Sequence, residues 1–212
     1  MVNMFMDRAE LVKIIETEKL VFVTRLKDHT KTQAVMASLI SVGANVVEIT
    51  TNTPNYTNEI SEARKSFPKI LIGAGTVTNE KLARESIEAG AQFLVTPNTN
   101  LELVKVAHEY NVPILMGALT PSEVSAAHEA GADFVKLFPA DIMGVSYFKS
   151  ITAPLNNVKL LAVGGIELNT VDDWMAAGAH GIGIASVLKE PVDLEDIKKN
   201  ASNFISKLAE YR

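Results

Sequence analysis

The chain has 212 residues, 47% hydrophobic and 21% charged, with a formal net charge of −5 and no cysteine. That size and composition suit one globular domain, and an acidic balance without a basic run argues against nucleic acid and anionic membrane surfaces as partners. The missing cysteines exclude disulfides, thiolate zinc sites, iron–sulfur clusters and a cysteine nucleophile. The opening stretch, Met1 to Arg8, has no basic segment followed by a long apolar core, so it does not read as a signal peptide. No apolar stretch reaches the length of a membrane span, and a cytoplasmic protein is the expectation.

In chain order, a helix is expected from Asp7 to Glu16, followed by a first strand, Leu20 to Thr24. A helix from Thr30 to Val42 leads to a second strand, Val46 to Thr50. The third strand is Lys69 to Gly73, followed by a helix from Asn79 to Ala89. The fourth strand ends in Val95-Thr96-Pro97-Asn98 and is followed by a helix from Asn100 to Tyr110. Pro113 to Met116 forms the fifth strand, and Asp133 to Ala140 contains the sixth. The seventh is Lys159 to Val163, and the eighth ends in Gly183-Ile184-Ala185-Ser186. The last helix carries Leu194, Ile197, Ala201, Phe204, Ile205 and Leu208 at spacings of three and four. Short apolar runs of this kind, without alternation, suit parallel strands covered on both faces.

One pattern recurs four times: Gly43-Ala44, Gly90-Ala91, Gly131-Ala132 and Gly178-Ala179, each after a helical segment and before a strand, about 41–47 residues apart. Glycine accepts the left-handed conformation that ends a helix, and each interval holds two βα units. Residues 1–212 therefore read as a single α/β domain, a (β/α)₈ TIM barrel with an extra N-terminal helix. An open doubly wound sheet is the alternative; eight strands and the even echo favour closure.

In such barrels the chemistry lies at the C-terminal ends of the strands. Lys136 interrupts the apolar strand Phe134-Val135-Lys136-Leu137. Near its ordinary value only about one lysine in a thousand is a neutral amine at neutral pH, and desolvation raises that share. A neutral amine attacks carbonyls, so Lys136 is a candidate Schiff-base nucleophile. The plain alternative is a lysine at a strand end with its head in solvent. Glu48 interrupts the second strand in the same way. The pair reads either as a structural ion pair or as nucleophile and proton carrier. Gly164-Gly165 and Ala185-Ser186 follow strands seven and eight, the usual phosphate location of phosphate-binding barrels; two ordinary tight turns are the alternative. Gly73-Ala74-Gly75 lacks the third glycine of a dinucleotide fingerprint. His29, His108, His128 and His180 are scattered, form no zinc motif, and are expected on solvated helix faces or helix ends.

Taken together and in order, Val47-Glu48-Ile49-Thr50, Gly73-Ala74-Gly75-Thr76-Val77, Val95-Thr96-Pro97-Asn98, Thr120-Pro121-Ser122-Glu123, Val135-Lys136-Leu137-Phe138-Pro139-Ala140 and Gly164-Gly165-Ile166 resemble the 2-keto-3-deoxy-6-phosphogluconate (KDPG) aldolase family, which includes 4-hydroxy-2-oxoglutarate (KHG) aldolases. The resemblance spans nearly the whole chain. It implies a class I aldolase with no metal and no cofactor, acting on a small phosphorylated keto acid, usually as a homotrimer. Lys136 is then the imine-forming lysine and Glu48 the acid/base. Thr76 and Pro97 match positions at the pyruvyl carboxylate, Phe138 an aromatic beside the pyruvyl group, and Arg25 an arginine near the carboxylate or phosphate. Gly164, Gly165 and Ser186 match the phosphate site. Asn52, Val163 and Ala185 depart from the gluconate pattern, and the first two look more like the 6-phosphogalactonate branch. The competing readings are a sugar-phosphate isomerase or epimerase barrel, and a non-catalytic sugar-phosphate binder.

Overall fold

The four Gly-Ala echoes end helices by one mechanism. Gly43, Gly90, Gly131 and Gly178 all have φ between +94° and +104°. In each copy the alanine N–H reaches back to a carbonyl five residues earlier: Ala44 to Leu39, Ala91 to Ser86, Ala132 to Ala127 and Ala179 to Trp174. The glycine N–H takes the carbonyl three residues before it, as Gly43 does with Ile40. These are the paired bonds of a Schellman cap, which satisfy the last helix carbonyls and turn the chain into a strand.

The computed structural model describes residues 6–188 and 191–212; the opening residues 1–5, whose composition is read above, lie outside them. The chain begins with α1 (Arg8–Glu18), started by a capping box between Asp7 and Glu10. Then β1 (Leu20–Thr24), α2 (Thr32–Ser41), β2 (Val46–Thr50), α3 (Tyr56–Ser66), β3 (Leu71–Gly75) and α4 (Glu80–Glu88) follow. The second half runs β4 (Leu94–Val95), α5 (Glu102–Glu109), β5 (Ile114–Ala118), α6 (Pro121–Glu129), β6 (Phe134–Leu137), α7 (Ala140–Thr152), β7 (Leu160–Val163), α8 (Val171–Ala176), β8 (Gly181–Ile184) and α9 (Leu194–Ala209). The eight strands close into a barrel in sequence order, all pairs parallel, with β1 against β8 through Leu20↔Ile182 and Phe22↔Ile184. The closed (β/α)₈ barrel is the expected fold, and the open sheet is excluded.

Some expected boundaries move. β3 starts at Leu71 rather than Lys69 because the Ile70 N–H bonds back to the Phe67 carbonyl in a turn. The expected helix from Thr30 splits: Asp28 caps a 3₁₀ turn over His29–Lys31, and α2 begins only at Thr32. α5 starts two residues later than expected, after an end with no side-chain cap.

Alternation along each strand sorts side chains to two faces. Val21, Val46, Leu71, Phe93, Leu115, Phe134 and Leu161 fill the barrel interior, joined by Leu11 and Ile15 of α1. The intervening residues, such as Val47, Ile72, Val135 and Ala162, pack outward in a second cluster with the helices. Leu11 and Ile15 are 4% and 1% exposed, and burying each contributes about 1.5–3 kcal/mol. Together they plug the end of the barrel where the strands begin. The same alternation, two residues further along each strand, aims Glu48 and Lys136 inward at the other end. Among the described residues no helix is long and apolar enough to cross a membrane.

Candidate active site

Two buried charges share one cleft. Lys136 is 7% exposed and Glu48 2%. Both line a cavity of about 370 Å³ together with Val23, Arg25, Phe138, Val163, Gly164, Gly165, Ser186 and their neighbours. Glycines stand beside the two charges and beside Val163. The register partner of Glu48 is Gly73, that of Lys136 is Gly117, and that of Val163 is Gly183. A Cβ at Gly73 would lie 2.5 Å from the Phe93 ring, and one at Gly117 would lie 2.5 Å from the Pro97 backbone carbon. Both are closer than real Cβ contacts allow. One turn higher, a Cβ at Gly75 would meet the Glu48 carboxyl. Phe93 and the Pro97 backbone fill the places that side chains at Gly73 and Gly117 would take, and of these glycines Gly183 borders the cavity itself.

Burial sets the proton affinities. Desolvation pushes the Glu48 carboxyl above its ordinary value, against the opposing pull of Lys136 and Arg25. Desolvation pushes the Lys136 ammonium below its ordinary value; Arg25 pushes the same way and Glu48 opposes. No ion pair within 4.0 Å joins the two among the described residues. A carboxyl that tends to keep its proton and an amine that tends to lose one therefore face the same cavity. Lys136 Nζ also lies 4.9 Å from the centre of the Phe138 ring, on the ring's face. That ring packs over Gly164, where a Cβ would come within 3.1 Å of it.

The other expected residues fall into two groups. Arg25, Phe138, Gly164, Gly165 and Ser186 line the cavity with the central pair. Gly164 and Gly165 both have positive φ, +97° and +66°, which a tight backbone turn at this strand end requires. The Ser186 hydroxyl donates to the Ile166 carbonyl at 3.3 Å, tying the turn after β8 to the turn after β7. Thr76 and Pro97 are not among the cavity-lining residues. Thr76 is linked to the site through Arg25, whose Nη2 lies 3.5 Å from the Thr76 hydroxyl. Pro97 is linked through its backbone, which packs on Gly117 beside Lys136. Asn52 is exposed and stands outside the lining, whereas Val163 is part of it.

Sequence reasoning passed over Val23, an inward residue of β1 at the cavity, and the tight contact of Gly75 with Glu48. Val23 carried a usable signal, since Val21 and Arg25 flank it at the strand period of two. The contact at Gly75 depends on register between strands and left no local signal.

Of the four histidines expected on solvated helix faces or helix ends, His108 stands in the last turn of α5 as expected, whereas His180 lies past the end of α8. His108 closes α5 with Nε2 buried and without a hydrogen-bond partner, and His180 sits before β8 with Nδ1 in the same state. Each ring is partly exposed, with one nitrogen turned inward. Desolvation lowers the proton affinity of both, with Arg8 adding to the effect at His108 and Lys19 at His180. His29 instead pairs with Glu59 at 3.1 Å. Among the described residues no group of three or more His, Cys, Asp or Glu side chains is arranged to hold a metal ion.

Comparison with known proteins places this geometry. Residues 11–208 match the family model of KDPG and KHG aldolases. A 2-dehydro-3-deoxy-6-phosphogalactonate aldolase of Escherichia coli K12 is 33% identical over 174 residues, 80% of this chain and 85% of that protein. A probable aldolase of the same name from Rhizobium meliloti is 31% identical over 209 residues, 97% of this chain and 96% of that protein. A solved structure described as native KDPGal superposes with a TM-score of 0.85 at 30% identity, covering 90% of this chain and 94% of that one. A barrel with an amine and a carboxyl buried together at the strand ends, and a family match across nearly its whole length, make this chain a member of the KDPG and KHG aldolase family, a carbon–carbon lyase.

Proposed function

We propose that the chain cleaves a 2-keto-3-deoxy-6-phospho sugar acid, of the 6-phosphogluconate or 6-phosphogalactonate type, to pyruvate and glyceraldehyde 3-phosphate through a Schiff base on Lys136. KHG, cleaved to pyruvate and glyoxylate, is a second substrate of the same chemistry. The observation that carries the reading is Lys136 itself: a nearly buried amine with lowered proton affinity, in one cavity with a protonation-prone carboxyl and a double-glycine turn.

The neutral Lys136 amine adds to the C2 carbonyl, forming a carbinolamine. Loss of water, with a proton supplied by Glu48, leaves a protonated imine. Glu48 then takes the C4 hydroxyl proton, directly or through a water. The C3–C4 bond breaks, its electron pair moves into the imine to form an enamine, and the aldehyde leaves. Reprotonation at C3 and hydrolysis of the imine release pyruvate and restore the amine. Arg25, with Thr76 behind it, is placed to receive the carboxylate. The Gly164-Gly165 turn and Ser186 offer backbone N–H groups and a hydroxyl to the phosphate. Pro97 backs the Lys136 strand from behind through its backbone packing on Gly117, and Phe138 covers the pyruvyl group. Homotrimeric assembly and a cytoplasmic location belong to the same proposal and are supported by the family resemblance alone.

Borohydride reduction in the presence of pyruvate, followed by peptide mass analysis, tests the imine. A pyruvate adduct on the peptide bearing Lys136 is expected; an adduct on another lysine, or none, overturns the assignment.

Gly75→Ala separates folding from catalysis. The nearest atoms the added Cβ meets are the far end of Glu48, its carboxyl, and a Thr50 methyl at 3.2 Å. A flexible carboxyl can move aside, so the fold survives, but the proton carrier is displaced. A misplacement of about 1 Å costs on the order of 10²-fold in rate. A drop of that size in kcat, with an unchanged denaturation midpoint, is the expected result.

Val163 bears on the C4 epimer. It lines the cavity, where threonine would have nearly the same shape and add a hydroxyl. One neutral hydrogen bond is worth about 0.5–1.5 kcal/mol net, or roughly two- to twelvefold in discrimination. A relaxed enzyme that cleaves both phosphorylated epimers is expected, in keeping with relatives named for the galactonate phosphate and others named for the gluconate phosphate. Val163→Thr is expected to shift the ratio of kcat/KM values toward the gluconate epimer by about two- to twelvefold. An unchanged ratio assigns the epimer choice elsewhere.

A further inference from the structure

Thr76 has φ +59°. For a β-branched residue this left-handed conformation is a true outlier, because its Cβ and branched atoms crowd the neighbouring carbonyl. Strain of this kind persists only where the surroundings over-determine it, and it clusters at functional sites. Here the two peptide groups that flank the Thr76 Cα are both held from one residue, Thr51, directly after β2. The Thr51 N–H donates to the Gly75 carbonyl at 2.8 Å. Its hydroxyl donates to the Thr76 carbonyl at 2.8 Å. The N–H of the second peptide group, on Val77, is held in turn by the Val95 carbonyl at 3.1 Å. With both planes pinned, neither backbone angle of Thr76 is free. The outcome is a threonine hydroxyl 3.5 Å from Arg25 Nη2, one residue from the glycine that backs the Glu48 carboxyl.

We propose that Thr51 is a positioning residue for the keto-acid end of the site, its hydroxyl holding the Thr76 carbonyl so that the strained Thr76 presents its own hydroxyl beside Arg25. The inference rests on the reading that Thr76 and Arg25 receive the substrate carboxylate. Thr51 touches no reacting atom. It acts through the backbone of Thr76, and only its hydroxyl contribution is removable by substitution, since the bond from its N–H survives any side chain.

The test is pyruvate-dependent borohydride trapping, titrated for half-saturation and for maximum adduct on Lys136. Thr51→Val keeps the shape and loses the hydroxyl. Its half-saturation is expected to rise about two- to twelvefold, the worth of one hydrogen bond, with the maximum adduct unchanged. Thr51→Ser restores the hydroxyl and is expected to restore the wild-type value. Thr76→Gly reads the strain whether or not Thr51→Val folds: glycine takes φ +59° without a Cβ penalty. Its denaturation midpoint is expected to rise while its pyruvate half-saturation worsens. An adduct in the wild type with unmoved half-saturation in Thr51→Val overturns the inference alone. So does a Thr51→Val that loses maximum adduct rather than affinity, or a Thr76→Gly of lower stability. No adduct in the wild type overturns the Schiff-base reading, and this inference with it.

Discussion

Lys136→Ala is expected to abolish aldol cleavage, by several orders of magnitude in kcat/KM, while the barrel folds as before. Without the amine there is no imine, and without the imine the electron pair of the breaking C3–C4 bond has no acceptor. The barrel survives because Lys136 projects into the cavity, while the apolar interior below it is filled by Phe134, two residues back, and its neighbours. Lys136→Arg sharpens the test, since a guanidinium keeps the positive charge but does not deprotonate to a nucleophile. Both variants are expected to show no pyruvate adduct after borohydride reduction. Turnover near the wild-type rate in either one would remove Lys136 from the mechanism.

Glu48→Gln is expected to cost about 10²–10⁴-fold in kcat, the usual range for a general acid–base group. Some pyruvate binding should remain, because the amide keeps the shape but cannot take up or release a proton at these pH values. A loss below about tenfold on that scale would make Glu48 a structural residue. The same variant has a thermodynamic signature. Burial raises the Glu48 carboxyl in the fold, so the stability this group contributes is complete below its ordinary value and is lost as pH rises through the folded value. Glutamine suffers no such loss. The stability of Glu48→Gln relative to wild type is therefore expected to grow as pH rises through that window and to level off above it. Chemical denaturation at a series of pH values from acid to neutral measures the gap, and a gap that shrinks with rising pH would contradict the burial argument.

What was readable in the sequence follows a physical divide. β1 and β2 were placed to the residue because an apolar run ended in a polar residue on each side. The capping glycines were readable because helix ending by a left-handed residue is local chemistry. Lys136 and Glu48 stood out because charge inside an apolar strand is costly unless it serves something. Features made between distant segments were not readable. The contact of Gly75 with Glu48 depends on the register of β2 with β3; the late start of β3 has a local cause instead, a turn bond from Ile70 back to Phe67 that no residue type announces. Thr76 and Pro97 were named from the family pattern, yet they stand behind Arg25 and Gly117 rather than at the cavity wall. The one buried ring nitrogen of His108 and of His180 was not readable, because which edge of a half-exposed ring turns inward is set by tertiary packing.

The pairing of β1 with β8 has a kinetic consequence. It joins segments from opposite ends of the chain, so it is the least local contact in the sheet, and contacts of that kind form slowly because a long loop must close first. Until β8 has been synthesised and docked, β1 presents an unpaired edge of apolar residues, a template for association with other chains. Glu48 on β2 and Lys136 on β6 face each other only across a finished ring. A partly folded chain is therefore both sticky and inert, and the last strand to leave the ribosome removes both conditions in one event.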